Sequence, residues 1–213
     1  MAIIYGVPAS PFVRKVMMAH AVKGLDYEFE LTMPKSDDAE FREASPLGKI
    51  PGYRTDDGFG FSDSAVIVAY IERLPSAVNL YPADNNQMAK ALWLERYCDT
   101  QLMEVTAALY FQKIIGPKFF QMETDQERVT ELVSKLIPAE LDYVESQATD
   151  GWFVGGQITI ADIAIASNMF NLMHVDFDLT NWPKFNAFVE RLRASDFAKA
   201  QLEAELNMLN QAL

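Results

Sequence analysis

Cysteine and histidine are scarce in this sequence, with one cysteine and two histidines among 213 residues. A single thiol cannot form a disulfide within the chain, which fits a reducing compartment. His20 and His174 stand far apart with no cysteine beside either, so we expect no metal site. The P-loop pattern and the Gly-x-Ser-x-Gly pattern are both missing, which disfavours phosphate binding by that loop and the serine-hydrolase mechanism.

Positive charge is also sparse. The chain carries 18 Lys and Arg against 30 Asp and Glu, for a net charge of −12. No basic cluster stands out, so we expect neither a nucleic acid nor an anionic membrane surface as a partner. No apolar run approaches the roughly 18 residues that span a bilayer, and the N-terminus shows no secretory signal pattern. We therefore expect a soluble, cytoplasmic protein.

The first 78 residues alternate short strand-like and helix-like segments. "AIIYG" and "DYEFELT" predict strands, and residues 11–23 predict a helix that ends at Gly24. "IPGYRT" and "GFGFS" predict a hairpin around an Asp-Gly pair. The helix that follows has Ser62 or Asp63 as its N-cap. With the polar stretch before the hairpin interpreted as a loop, the order β-α-β-loop-β-β-α predicts a small α/β domain with a mixed sheet.

From about residue 86 the strand signals fade and helical periodicity dominates. A long helix is predicted first, and residues 125–147 then form an amphipathic helix that Pro138 should bend. Further helices are predicted near 160–174, 183–194 and 196–212.

The polar, turn-prone stretch "NLYPADNN" separates these two patterns. We therefore predict an N-terminal domain over residues 1–78, a linker over 79–86 and an all-helical domain over 87–213.

Four local motifs resemble those of the cytosolic glutathione transferases in order and spacing. They are "SPFVRKV", "SPLGKIPGY", "FSDSAVIVAYIE" and "FVGGQITIADIAIA". The resemblance covers essentially the whole chain. It implies an α/β thioredoxin-like N-terminal domain, an all-α C-terminal helical bundle and glutathione as co-substrate, without a metal. It also implies a homodimer that pairs the first half of one chain with the second half of the other.

Ser10 lies at the junction between the first strand and the first helix. Taken alone, a serine followed by proline is a common helix N-cap. In serine-type members of the family a hydroxyl here donates a hydrogen bond to the glutathione sulfur, so the resemblance implies that Ser10 is catalytic. Tyr5 is the rival donor, because tyrosine-type members keep their hydroxyl near this position. We interpret Tyr5 as a core aromatic residue on a buried strand.

The energy that such a hydroxyl must supply is modest. A free thiol has a pKa of about 8.5, and lowering it by two units requires about 2.7 kcal/mol. One charge-assisted hydrogen bond supplies about 1.5–3 kcal/mol, and the positive end of the helix adds some tenths.

The resemblance also implies a set of glutathione-binding residues. Lys49 would meet a carboxylate, and the backbone of Ile50, before a cis Pro51, would pair with the cysteinyl part. Ser64 would bind the γ-glutamyl carboxylate and Asp63 the ammonium group. The plainer alternatives are a solvated lysine and an ordinary helix cap, and capping is compatible with binding.

Two further assignments are implied for the helical half. Asp99 is a candidate for reaching the ammonium group from the partner subunit. The electrophile site would be apolar, with candidates Phe12, Met103, Tyr110 and Phe111, and with Val7 and Phe119 as further possibilities. Aromatic and Met side chains at helical spacing are more often core residues than ligand contacts.

Two features of the helical half are interpreted as structural. "TIAD", from Thr159 to Asp162, has the form of a capping box, with Ile158 and Ile163 placed as a hydrophobic staple. Cys98 is expected to be a small buried hydrophobic residue, which disfavours thiol–disulfide chemistry.

The predicted function is therefore conjugation of the glutathione thiolate to small hydrophobic electrophiles. A glutathione-dependent peroxidase or dehalogenase on the same site is one alternative. A non-catalytic scaffold that binds a protein partner is another. The double-serine pattern of the maleylacetoacetate isomerases is missing, which disfavours that reaction.

Overall fold

The computed structural model describes residues 1–211, and within them a mixed four-stranded sheet forms the first half of the chain. The strands are β1 (Ala2–Gly6), β2 (Tyr27–Leu31), β3 (Gly52–Arg54) and β4 (Gly60–Ser62). Their order across the sheet is β2-β1-β3-β4. β1 pairs with β2 in parallel, and the β1–β3 and β3–β4 pairs are antiparallel. The mixed sheet and its hairpin are as the sequence predicted.

Helices cover both faces of this sheet. They are α1 (Pro11–Lys23), α2 (Ala39–Ala44) and α3 (Ser64–Glu72). Ile4 of β1 is buried in the main core with residues of α1 and α3, whereas Tyr5 packs with Phe41 of α2. This division follows from the strand period of two, which sends successive side chains to opposite faces.

The helix boundaries in this half follow local chemistry. Gly24 takes a left-handed conformation, with φ of 65°, directly after α1, and its N–H bonds to the carbonyl of Ala21. The Asp63 carboxylate accepts hydrogen bonds from the backbone N–H groups of Ala65 and Val66, which makes Asp63 the N-cap of α3. Of the two predicted caps, Ser62 and Asp63, it is therefore Asp63 that acts.

One expectation for this half was wrong in detail. The stretch interpreted as a loop contains α2, whose single turn and a half has only Phe41 and Ala44 buried and so leaves almost no periodic signal. In the predicted strand β2, the side chain of Leu31 is 64% exposed.

Among the described residues, the second half consists of helices and connecting loops, without a strand. Its α-helices are α4 (Asn85–Tyr97), α5 (Met103–Tyr110), α6 (Gly116–Phe120), α7 (Gln126–Glu131), α8 (Ile137–Gln147), α9 (Ile160–Met173), α10 (Pro183–Ala194) and α11 (Asp196–Gln211). Position 212, which the last predicted helix included, lies outside the described residues. The division into two domains with a linker over 79–86 stays a prediction.

Short π-helical segments join several of these helices into continuous rods. Cys98–Leu102 joins α4 to α5, Phe111–Ile115 joins α5 to α6, and Leu132–Leu136 joins α7 to α8. The last segment ends just before Pro138, which has no N–H to give to the preceding turn. The structure thus has a π-helical turn just before Pro138, and the bend itself stays a prediction.

Helix α9 forms the centre of the helical half. Every residue from Ile160 to Leu172 is buried, and α9 packs against α1, α4 and α5. The capping box is present, since Asp162 accepts hydrogen bonds from the N–H and the hydroxyl of Thr159 at 2.8 and 2.9 Å. Because α1 packs on α9, the two halves share one core, and the start of α1 lies where they meet.

Cys98 begins the π-helical segment between α4 and α5. Cys98 is fully buried, as expected, and burial raises the pKa of its thiol well above the usual value. Within residues 1–211, no helix is both long enough and apolar enough to cross a membrane.

Candidate active site

Ser10 ends a tight turn between β1 and α1. Its backbone N–H bonds to the carbonyl of Val7 at 3.0 Å, and its carbonyl accepts from the N–H of Arg14 at 2.9 Å. The residue is the N-cap of α1, followed by Pro11, yet its hydroxyl makes no capping hydrogen bond. A half-buried hydroxyl that does not cap its own helix is free to bind another molecule.

A polar cavity of about 310 Å³ lies beside this turn. The structure brings together here all five residues predicted to bind glutathione, together with Asp99. The lining residues are Phe12, Leu47, Lys49, Ile50, Pro51, Ser62, Asp63, Ser64, Arg96, Asp99 and Thr100. Leu47, Arg96 and Thr100 were missed, because nothing local in the sequence distinguishes them from ordinary surface positions.

The backbone around Ile50 and Ser64 is suited to binding a peptide-like ligand. The Ile50–Pro51 peptide bond is cis, as the resemblance implied. Ser64 is the first residue of α3, so its N–H lies at the positive end of a nine-residue helix. Asp63, exposed and with φ of 82°, already accepts two backbone hydrogen bonds through one carboxylate oxygen, Oδ1. Its other oxygen, Oδ2, is available to a cationic group.

Asp99 lies in this chain's own cavity. The resemblance suggested that Asp99 serves the partner subunit, but within one chain it already lines the same cavity as Lys49 and Ser64. Lys15 binds its carboxylate at 2.6 Å and that of Glu95 at 3.0 Å. Lys15 and Asp99 are 84 positions apart, so no local pattern in the sequence indicates their contact.

A larger and mainly apolar cavity of about 610 Å³ has Ser10 in its lining, and it adjoins the polar cavity through shared residues, among them Phe12, Lys49 and Ile50. Three of the four predicted electrophile residues line it, namely Phe12, Tyr110 and Phe111. Val7 lines it as well. Met103 lines neither this cavity nor the polar one. It is the first residue of α5, two helical turns before Tyr110, and its role at the electrophile site stays a prediction.

The apolar cavity continues into an open groove of about 470 Å³, which we call the apolar groove. Its lining residues are Val7, Ala9, Leu31, Met33, Pro34, Ile115, Phe119, Phe120 and Met208. Val7, Ala9, Pro34 and Ile115 line both spaces. Leu31, Met33 and Phe120 are each more than half exposed, and such clustered exposure of large apolar side chains is typical of a binding surface.

The rival tyrosine is placed elsewhere. Tyr5 is 3% exposed and packs against Phe41, with its hydroxyl 3.4 Å from a carboxylate oxygen of Glu40. Burial is the main factor that raises the pKa of Tyr5. Tyr5 lines neither cavity beside Ser10, so the interpretation as a core aromatic is confirmed.

Tyr110 has an unusual environment. Its hydroxyl oxygen is buried and has no hydrogen-bond partner among residues 1–211, while its ring stacks on that of His174 at 5.4 Å. His174 Nε2 in turn lies 2.7 Å from a carboxylate oxygen of Glu205. Among the described residues no group of three or more His, Cys, Asp or Glu is arranged to hold a metal ion.

The arrangement has one chemical consequence. An anionic, peptide-like molecule in the polar cavity would have one end at the start of α3 and another near Ser10. A reactive atom beside the Ser10 hydroxyl would then face the apolar cavity. The site is thus suited to joining a polar nucleophile to an apolar partner.

Two family models match the chain. The glutathione S-transferase N-terminal domain matches residues 4–79 and the glutathione S-transferase C-terminal domain matches residues 101–196. The sheet and α1–α3 fall in the first match, and most of the helical half falls in the second.

Three of the curated relatives are between 24% and 29% identical to this chain. An uncharacterized GST-like protein, YibF of Escherichia coli, is 29% identical over 76% of this chain and 78% of its own length. Elongation factor 1-gamma of Schizosaccharomyces pombe is 28% identical over 75% of this chain, which spans only 38% of that protein. A glutathione S-transferase of Pseudomonas putida is 24% identical over 88% of this chain and 84% of its own length.

Solved structures share the fold. A glutathione S-transferase of Rhodospirillum rubrum superposes with a TM-score of 0.83 at 21% identity, over 95% of this chain and 92% of the other. A glutathione S-transferase of Methylobacillus flagellatus with glutathione bound has a TM-score of 0.77 at 21% identity, over 94% and 98%. At such identities the likeness shows the thioredoxin-like α/β domain and the helical domain, as the sequence predicted.

Proposed function

We propose, from the premise that this chain belongs to the glutathione S-transferase family, that it transfers glutathione to apolar electrophiles with Ser10 as the thiolate-stabilising group. The observation that carries the proposal is the position of Ser10. Its hydroxyl makes no capping bond, and Ser10 lines the apolar cavity, which shares Phe12, Lys49 and Ile50 with the polar cavity. The family membership supports glutathione transferase activity in general, and the role of Ser10 is our own assignment.

Glutathione would occupy the polar cavity in an extended conformation. Its γ-glutamyl carboxylate would meet the N-terminus of α3 at Ser64, and its ammonium group would meet Asp63. The backbone of Ile50 would pair with the cysteinyl unit, and Lys49 would meet the glycine carboxylate. Each pairing matches a charge or backbone group of the ligand with a group that lines the cavity.

The thiol would then lie at the Ser10 hydroxyl. That hydroxyl stabilises the thiolate over the thiol by a charge-assisted hydrogen bond of about 1.5–3 kcal/mol. This energy corresponds to a shift of one to two pKa units, which raises the thiolate fraction at neutral pH from a few per cent to a substantial share. No base has to remove the proton permanently, because solvent takes it when the thiolate forms.

The second substrate would bind in the apolar cavity against Phe12, Tyr110 and Phe111. Burial of its apolar surface supplies the affinity, and the exposed thiolate attacks its electrophilic carbon. Peroxide reduction or dehalogenation could use the same thiolate, and assays with cumene hydroperoxide or haloalkanes separate these reactions from conjugation.

We also propose that the protein is a cytoplasmic homodimer.

A non-catalytic scaffold is the second candidate, because this chain is also similar to elongation factor 1-gamma, which is not named as a transferase. A scaffold does not require glutathione binding. The retained residues Lys49, Pro51, Asp63 and Ser64, all in one cavity, favour the enzyme instead.

The test is an ultraviolet difference spectrum of glutathione bound to the protein, recorded at the thiolate band from acid to alkaline pH. We expect a bound thiol pKa at least one unit below the free value of about 8.5. In Ser10→Ala the bound pKa should return to near that value, with conjugation falling at least about tenfold, while glutathione still binds. Tyr5→Phe, the matched loss of a hydroxyl, should leave both unchanged.

Three outcomes would contradict the proposal in different ways. Full activity in Ser10→Ala with loss in Tyr5→Phe would move the donor to Tyr5. Binding without any thiolate would indicate a carrier. Absence of glutathione binding would leave Ser10 as a plain helix start and would favour the scaffold.

A further inference from the structure

The turn that carries Ser10 is hydrogen-bonded to α11, the last helix that the structure describes. The side-chain amide of Gln201, on α11, donates a hydrogen bond to the carbonyl of Pro8 at 3.1 Å. The guanidinium of Arg14 donates to the carbonyl of Ala9 at 3.2 Å. These two carbonyls belong to the residues directly before Ser10, so both bonds act on the backbone that places its hydroxyl.

Glu205, also on α11, joins these two donors. Its carboxylate accepts from Arg14 Nε at 2.6 Å and Nη2 at 2.8 Å, from Gln201 Nε2 at 2.6 Å, and it lies 2.7 Å from His174 Nε2. Arg14 and Glu205 are fully buried and Gln201 is 3% exposed. Burial acts to raise the pKa of Glu205, but Arg14 and the other donors outweigh it, and the net shift is downward. The carboxylate is therefore ionised at neutral pH.

This arrangement does more than join the two halves of the chain. For that purpose the bidentate Arg14–Glu205 pair would suffice. The Gln201 bond to Pro8 adds nothing to that pair, and it reaches the turn that ends at Ser10. Since the Ser10 hydroxyl has no capping bond of its own, its position depends on the backbone on which these bonds act.

We propose that Gln201 and Glu205 are positioning residues for Ser10, holding the turn at residues 8–9 so that the hydroxyl meets the glutathione sulfur. The inference rests on the proposed thiolate-stabilising role of Ser10. A hydrogen bond to a developing charge weakens steeply when the donor is misplaced, and displacements of about an ångström cost catalytic rates heavily. The last helix of the helical half thus helps set the chemistry of the first half.

The deciding variant is Gln201→Leu, which keeps the size of the side chain and leaves the Arg14–Glu205 pair in place. We expect the thiol pKa of bound glutathione to rise and kcat to fall about five- to tenfold, with the KM for glutathione changed less than about twofold, because the polar cavity is untouched. The midpoint of thermal unfolding should fall by a few degrees, because the carbonyl of Pro8 loses a buried partner. Lys199→Leu, an exposed position on the same helix, is the matched control and should change none of these.

Glu205→Gln provides the second measurement. It leaves the buried Arg14 charge without its carboxylate, so the protein should lose stability, and the bound thiol pKa should rise further than in Gln201→Leu. If Glu205→Gln fails to fold, Gln201→Leu alone decides. An unchanged bound thiol pKa in Gln201→Leu, while the wild-type protein shows the lowered pKa, would overturn the positioning role and leave the proposed function intact. A wild-type protein without a lowered thiol pKa would overturn both.

Discussion

Buried charge at single residues is a feature of the α1 helix. Arg14 and Lys15 are adjacent, fully buried, and directed to opposite partners, Glu205 on one side and Glu95 with Asp99 on the other. Each is held by ionised or polar groups, as a buried charge must be. Both contacts join α1 to the helical half, so the helix that begins at Ser10 is fixed along two faces.

Glu95 makes the stability of the folded protein depend on pH. Its burial, with a smaller contribution from Asp99, raises the pKa of Glu95 above its usual value despite Lys15. A group whose folded pKa is raised contributes stability below its unfolded pKa and loses that contribution as pH rises through the folded value. Ionisation of Glu95 is therefore less favourable in the folded protein than in the unfolded chain.

We predict that Glu95→Gln reduces the loss of unfolding free energy between pH 5 and pH 8. Urea denaturation at several pH values checks this, with the difference between variant and wild type moving in favour of the variant as pH rises. Glu104→Gln, an exposed position on the following helix, should run parallel to wild type. Parallel curves for Glu95→Gln would show that Lys15 fully offsets the burial of Glu95.

At the scale of elements, α9 depends on one carboxylate. Asp162 is 1% exposed and accepts from the N–H of Phe153 at 2.8 Å as well as from both groups of Thr159. It therefore fixes both the start of α9 and the loop before it. Burial raises the pKa of Asp162 to about 6, against the lowering effect of these three donors.

We predict that Asp162→Ala lowers the free energy of unfolding by about 3 kcal/mol, because it leaves several buried donors without an acceptor. Chemical denaturation followed by far-ultraviolet circular dichroism measures it. Asp84→Ala is the matched control, since Asp84 caps α4 through two backbone bonds but is exposed, and it should cost only about 1 kcal/mol. Equal costs for the two variants would contradict the special role of the buried cap.

The apolar groove is a second element-scale feature, formed by the end of β2 and by α6. Because it continues from the apolar cavity, a long electrophile could extend its tail into it. For a series of 2-alkenals we predict that kcat/KM rises with chain length, by up to about fourfold for each methylene buried. Steady-state kinetics on the series measure this.

Phe120→Ser should flatten that series while leaving the shortest member unaffected. Phe59→Ser removes a similarly exposed ring from the β-hairpin, since Phe59 is 66% and Phe120 58% exposed, and the series should keep its slope. A slope that survives in Phe120→Ser would exclude the groove from substrate binding.

At the scale of the whole molecule, exposed apolar side chains occur on α3, α4 and the hairpin. Val66 is 52%, Met88 37% and Leu92 38% exposed. Met88 and Leu92 are four residues apart, so they share a face of α4. Val66 lies in the first half of the chain and the other two lie in the second, which is the combination expected for the proposed homodimer.

We predict that the wild-type protein sediments at twice the mass of one chain and that Val66→Glu sediments as a single chain, because a carboxylate in an apolar interface is costly. Analytical ultracentrifugation distinguishes the two. Val133→Glu, at another exposed apolar position in the helical half, should remain a dimer. A wild-type protein with the mass of one chain would refute the dimer itself.

Much of the fold followed from local patterns in the sequence. The strands β1 and β2, the hairpin, the stop of α1 at Gly24 and the capping box at Thr159 each depend on neighbours within a few residues, so local chemistry specifies them. The family motifs also carried the polar cavity, since Lys49, Ile50, Pro51, Asp63 and Ser64 fall in two short segments. Helix α2 was not predicted, because one and a half turns are too short to show a helical period.

What only the tertiary structure decided involves residues far apart in the chain. The burial of Tyr5 against α2 and the placement of Asp99 in the chain's own cavity depend on how elements distant in sequence pack together. So does the link from Gln201 and Glu205 to the turn at Ser10, across 191 positions between Arg14 and Glu205. Periodicity and capping report a residue's neighbours in sequence, whereas a buried ion pair or a cavity wall is set by packing, and packing becomes visible only when the chain is folded.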